Sequence, residues 1–171
     1  MCMQALEAGG LEAVYSKRRD EEMNKRWGDA DYKPNDAYYE LDAEDYLRGD
    51  LEQRYNGKLI KCLWGGIIRL PPGEYRVVFM RRPTEEIRMS LLAFFGSDDA
   101  IQQFASLDKA MDNVIEILRD RRSFKSVDVL WYKDVIDNPR KAFASLNWPI
   151  DVEKAAAIPN RSRARFSDRA A

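Results

Sequence analysis

The chain has 171 residues, 45% of them hydrophobic, which is enough for one domain with a real core and no more. With 28 basic and 29 acidic residues its formal net charge is -1, so no global field directs it to nucleic acid or an anionic membrane, and anion binding must come from local clustering. Histidine is absent and the two cysteines, Cys2 and Cys62, stand far apart, which leaves acid–base work to carboxylate, lysine, tyrosine or water, suggests neither a disulfide framework nor a zinc site and points to a reducing, cytoplasmic setting.

Residues 1 to 8 carry good helix formers and end at Gly9-Gly10, which predicts a helix closed by glycine. The first six residues are too short and too polar for a signal core, and no run reaches transmembrane length. From Tyr15 to Asn35 the polar sequence, with the run Lys17-Arg18-Arg19-Asp20-Glu21-Glu22, reads as a mobile loop holding a helical turn. The span Tyr38 to Leu51 reads as helical at its end, and Lys58 to Leu63 as a short strand. Gly65-Gly66 and Pro71-Pro72-Gly73 break the chain.

Tyr75 to Arg81 is an apolar strand rich in Val and Phe, and Thr84 to Phe95 a helix. A long amphipathic helix is expected from Asp98 to Arg122, because Leu107, Met111, Val114, Ile115 and Leu118 recur at spacings of three and four. Val127 to Tyr132 is a further strand. Pro139 to Leu146 is a helix with Asn138 as N-cap, and Asp151 to Ala157 a last short one. The tail, 160 to 171, holds four arginines against one aspartate and reads as a basic end to a single domain.

Strands separated by helices imply βαβ units and a parallel sheet, whose ligands sit at the carboxyl ends of the strands. Arg81 and Arg82 fall at such an end and at the start of a helix, where free amides and the helix dipole favour an anion. Ser90 lies seven residues beyond Pro83, about two turns on, and shares the face of Arg82. A guanidinium and a hydroxyl so placed can donate to one phosphate. The competing reading pairs Arg82 with Glu85 or Glu86 and leaves Ser90 without a role. Tyr132, at the end of the later strand, belongs to the same rim. It can stack on a base or serve as an aromatic at the edge of the core. Asp134 can cap the turn that follows.

Arg82 to Ser90 together with Tyr-Lys-Asp-Val-Ile-Asp-Asn-Pro, Tyr132 to Pro139, resembles the sulfotransferase family. In that family a strand ends in Arg and a Ser follows eight residues later. A second strand ends in a Tyr-x-Asp pattern that runs into Asn/Asp-Pro. The proline of Arg81-Arg82-Pro83-Thr84 sits one place earlier than in the family's Arg-Asp-Pro or Arg-Asn-Pro. Weaker likenesses follow in family order: the opening Met-Cys-Met-Gln-Ala-Leu-Glu-Ala-Gly-Gly, then Asn35 to Asp42, then Trp148 to Phe166. Together they cover residues 1 to 166.

The resemblance implies an α/β three-layer sandwich with a mainly parallel sheet, of the P-loop NTPase-like sulfotransferase kind and truncated at its N-terminus. It implies binding of the donor 3'-phosphoadenosine 5'-phosphosulfate (PAPS), with no metal, and transfer of its sulfuryl group to a hydroxyl or amine of a small-molecule or protein acceptor. Arg82 and Ser90 would hold the 3'-phosphate, Tyr132 would lie by the adenine, and Arg161 and Arg163 in the tail would close over the phosphate. Glu40 would take the place of the family's histidine base, and Tyr38 and Tyr39 would either line the acceptor pocket or pack as core aromatics. The family's first strand and phosphosulfate loop precede the position of residue 1. The chain is therefore expected to be a fragment, to be completed by another protein or by a second copy in a homodimer, or to be an inactive binding or assembly module. No nucleic-acid or membrane partner is expected.

Overall fold

The computed structural model describes residues 1–27, 39–42, 45, 50–62, 64–67, 70–71, 73–95, 107–121 and 124–159. The chain divides into two compact units, Met1–Glu74 with Trp148–Ile158, and Tyr75–Asn147 with Pro159–Ala171.

The first unit opens with α1, Cys2–Ala8. Ala5 and Leu6 are fully buried. The amides of Gly10 and Leu11 bond back to the carbonyls of Glu7 and Leu6, at 2.9 and 3.2 Å. This double closure needs a left-handed residue, and Gly10 supplies it with φ of 103°. Gly9 matters for closeness instead, since a Cβ there would stand 3.2 Å from that of Ile150.

Helix α2, Lys17–Trp27, occupies 11 residues where a loop was expected. Ser16 starts it: its hydroxyl accepts from the Arg19 amide at 3.2 Å and donates to Asp42 at 3.0 Å. Arg18 and Glu22, four residues apart, meet at 2.6 Å on the exposed side, an i,i+4 pair that adds about 0.2–0.5 kcal/mol to the helix. Helices α3, Leu51–Tyr55, and α4, Trp64–Ile67, follow. The first begins where the expected helical end of 38–51 stops. The second is a turn of helix over the glycines read as a break. Lys58 to Leu63 is not a strand of the sheet. Its described residues pair only through isolated parallel bridges, Leu59 with Ala13 and Lys61 with Glu40.

The second unit is built on a parallel pair, β1 Tyr75–Arg81 and β2 Phe124–Trp131. Val77 and Phe79 alternate inward along β1. The ring of Phe124 lies 5.4 Å from that of Tyr75 at the amino end. A parallel pair needs a long crossover; α5, Thr84–Phe95, and α6, Leu107–Asp120, lie within it. The five apolar residues named for α6 are all buried. The helix ends at Asp120, and the expected extension back through 98–106 lies outside the described residues.

Strand β2 starts and ends before the expected bounds, so Tyr132 opens α7, Tyr132–Asp137, and is no longer strand. Asp134 lies inside that helix. Helix α8, Pro139–Ala144, has Pro at its start as expected, but the Asn138 side chain makes no cap bond. Val135 and Phe143, from α7 and α8, are fully buried. The chain then returns to the first unit with α9, Val152–Ala156, which packs on α1. Asp151 caps it by accepting from the Lys154 amide at 3.1 Å, and that bond holds its carboxyl below the usual range. The class is thus α/β, with one parallel strand pair among the described residues. No helix of those residues is long and apolar enough to cross a membrane.

Candidate anion site at the strand ends

Strands β1 and β2 end in register, with Arg81 opposite Trp131. Successive residues of an extended chain leave on opposite sides, so the two arginines part company here. Arg81 lies over the Trp131 ring, 4.9 Å from its centroid. Its Nη1 donates to Asp112 at 2.6 Å and its Nη2 to Asp108 at 3.5 Å, both on α6. Its side chain is 14% exposed. Two carboxylates meet its terminal nitrogens, while its Nε is buried without a partner.

Arg82 lies over the Tyr132 ring at 4.6 Å. Its Nε donates to Glu86 at 3.3 Å. Among the described residues neither of its terminal nitrogens meets an acceptor, and its side chain is 26% exposed. A guanidinium carries five N–H donors in a rigid fork. Here one donor is taken and one face is covered, which leaves the outer edge of the fork open to an oxyanion.

Glu86, not Glu85, is the partner; Arg88 holds Glu85 through its Nη2 at 2.8 Å and its Nε at 3.0 Å. That hydrogen bond pulls the Glu85 carboxyl below the usual range. Glu86 is buried, with a side chain 6% exposed. Ser90 stands one turn beyond Glu86 on α5 and is half-buried, so Arg82, Glu86 and Ser90 share one stripe at intervals of four. Burial raises the Tyr132 phenol above its ordinary value; Arg82 opposes that shift and Glu86 adds to it. The group is therefore a neutral hydroxyl at neutral pH, able to donate or to present its ring.

The other expected site residues fall elsewhere. Glu40 belongs to the first unit. Its carboxylate is shared by Arg19 and Lys61, each at 3.4 Å, and its backbone carbonyl accepts from the Ser16 amide at 2.8 Å. Tyr39 is a core aromatic: it is buried, its hydroxyl donates to Glu7 at 2.6 Å, and its ring meets Tyr15 edge-on at 5.4 Å. Tyr38, Arg161 and Arg163 lie outside the described residues. Among the described residues no cluster of His, Cys, Asp or Glu could hold a metal ion. Burial pushes the thiols of Cys2 and Cys62 up to about 11, so little of either is thiolate at neutral pH.

Sequence reading placed Arg82 and Tyr132 on one rim, and the structure brings them into contact. It missed the neutralisation of Arg81, whose partners lie 27 and 31 residues away. The signal that could have exposed it was the pair of acidic residues, Asp108 and Asp112, one turn apart on the polar side of α6.

The fold and site together define an α/β protein with an arginine–tyrosine stack at the carboxyl ends of parallel strands. Comparison of the chain with protein-family models, with curated proteins and with solved structures gives no match.

Proposed function

We propose that the rim formed by Arg82, Ser90 and Tyr132 binds the 3'-phosphate and adenine of 3'-phosphoadenosine 5'-phosphosulfate, and that the chain is a sulfotransferase-like protein with the family's three-layer, P-loop-like fold. The observation that carries this reading is the Arg82 fork: stacked on Tyr132 at 4.6 Å and open at its outer edge. A phosphomonoester suits a bidentate guanidinium better than a lone point charge does. The free amides at the start of α5 add to the attraction.

In the transfer, an acceptor oxygen or nitrogen bonds to sulfur while the bond from sulfur to the 5'-phosphate oxygen breaks. The leaving product is 3'-phosphoadenosine 5'-phosphate, and the acceptor's proton passes to a base. Glu40, the base that the resemblance implies, already shares its carboxylate with Arg19 and Lys61. Those contacts favour a second reading, in which the chain keeps the nucleotide scaffold as a non-catalytic binding or assembly module. Both readings suit a cytoplasmic protein, where the donor nucleotide is at hand.

Both readings require the same nucleotide binding, so calorimetric titration tests them together. The account expects 3'-phosphoadenosine 5'-phosphate to bind at least about tenfold more tightly than adenosine 5'-phosphate, since only the first brings a 3'-phosphate to Arg82. Equal affinities, or no heat from either, would remove the nucleotide claim. Transfer of labelled sulfate from the donor to a phenol or amine then distinguishes the enzyme from the binding module.

A further inference from the structure

We infer that Glu86 is a positioning residue, holding the Nε edge of Arg82 so that the outer edge of the fork stays presented to a phosphate. The inference rests on reading this rim as a 3'-phosphate site. Glu86 lies in the first turn of α5, four residues beyond Arg82, so the helix fixes where its carboxylate stands. Among the described residues Arg82, at 3.3 Å, is its one ion-pair partner, and the carboxylate is almost wholly withdrawn from water. An anion so placed does not exchange partners freely, because leaving the cation would strand a buried charge. The Tyr132 ring covers one face of the same guanidinium. An arginine held by edge and face has given up its rotamer freedom before a ligand arrives, and less is lost when it binds.

The sign of the effect separates positioning from mere proximity. A carboxylate that was only a neighbour would repel the incoming phosphate, and its removal would tighten binding. Positioning gives the reverse. Titrated with 3'-phosphoadenosine 5'-phosphate, Glu86→Ala is expected to bind about tenfold more weakly than wild type. Glu86→Gln keeps an oxygen that can accept from Nε, and it is expected to stay within about threefold. Binding by Glu86→Ala that is unchanged or tighter overturns the inference.

A second readout needs no nucleotide. The Nε–H resonance of Arg82, assigned by its loss in Arg82→Lys, is expected to exchange slowly with water in wild type and Glu86→Gln. It is expected to broaden in Glu86→Ala. Rapid exchange already in the wild type overturns positioning. A protected resonance that responds to Glu86→Ala, in a wild-type protein that binds no nucleotide, upholds positioning and sinks the phosphate reading instead.

Discussion

Arg81 and Arg82 are neighbours in the chain and opposites in the fold. Each lies over an aromatic ring that ends or follows β2, at 4.9 and 4.6 Å. They differ in what the carboxylates around them do. Arg81 is nearly buried while its partners Asp108 and Asp112 are more than half exposed. Arg82 is the more open member of its pair, and its partner Glu86 is the buried one. On the Arg81 side a buried cation meets two solvated anions through its terminal nitrogens, and the one donor without an acceptor, its Nε, is itself buried. On the Arg82 side a buried anion holds a partly exposed cation, whose terminal nitrogens meet no acceptor among the described residues. Which partner is buried therefore decides whether an arginine at a strand end is structural or available.

The contrast predicts unequal responses to truncation. Arg82→Ala strands the buried Glu86 carboxylate and should lower stability by about 3 kcal/mol. Adding Glu86→Gln should recover about half of that, because the stranded charge is gone. Arg81→Ala leaves Asp108 and Asp112 free to hydrate and should cost about 1–2 kcal/mol, mostly the stack on Trp131 and one good ion pair. Urea denaturation of the three variants reads all of this as shifts in midpoint. A larger loss for Arg81→Ala than for Arg82→Ala would invert the comparison.

A smaller effect lies in the Tyr132 ring. Burial raises the Tyr132 phenol in the folded protein above its ordinary 10.0. The unfolded chain therefore loses that proton first. The associated stability is whole below pH 10 and falls as pH climbs through the raised folded value. Tyr132→Phe keeps the stack and should flatten that part of the stability–pH curve. A Tyr132→Phe protein with an alkaline decline as steep as the wild type's would show that the phenol is not buried as described.

Much of the second unit was legible because its residues repeat at the period of their element. Val77 and Phe79 alternate along β1, and the apolar residues of α6 recur every three or four. Helix α2 was not legible because it has no such stripe. Its visible local supports are the Ser16 cap and the Arg18–Glu22 pair, and the polar run that hides it also reads as loop. Lys58 to Leu63 erred in the other direction. It has a strand's apolar content, yet its described residues make only isolated bridges.

The site divides the same way. Arg82 and Tyr132 could be placed together because strand ends of a parallel pair lie side by side. The pairing with Glu86 was one of two open spacings, and spacing alone does not choose between them; in the structure Arg82 takes Glu86 and Arg88 takes Glu85. Glu40 looked free because Arg19 and Lys61, which share it, are each 21 residues distant in sequence. Short-range spacing carries no trace of such contacts.

The central claim is that the open fork of Arg82, and not positive charge in general at this rim, receives a phosphate. Lysine keeps the charge and loses the fork, so titration of Arg82→Lys and Arg81→Lys with 3'-phosphoadenosine 5'-phosphate tests it most directly. The account predicts binding weaker by about tenfold or more for Arg82→Lys, and within about twofold of wild type for Arg81→Lys. Equal losses in the two variants, or no loss in Arg82→Lys, would contradict it.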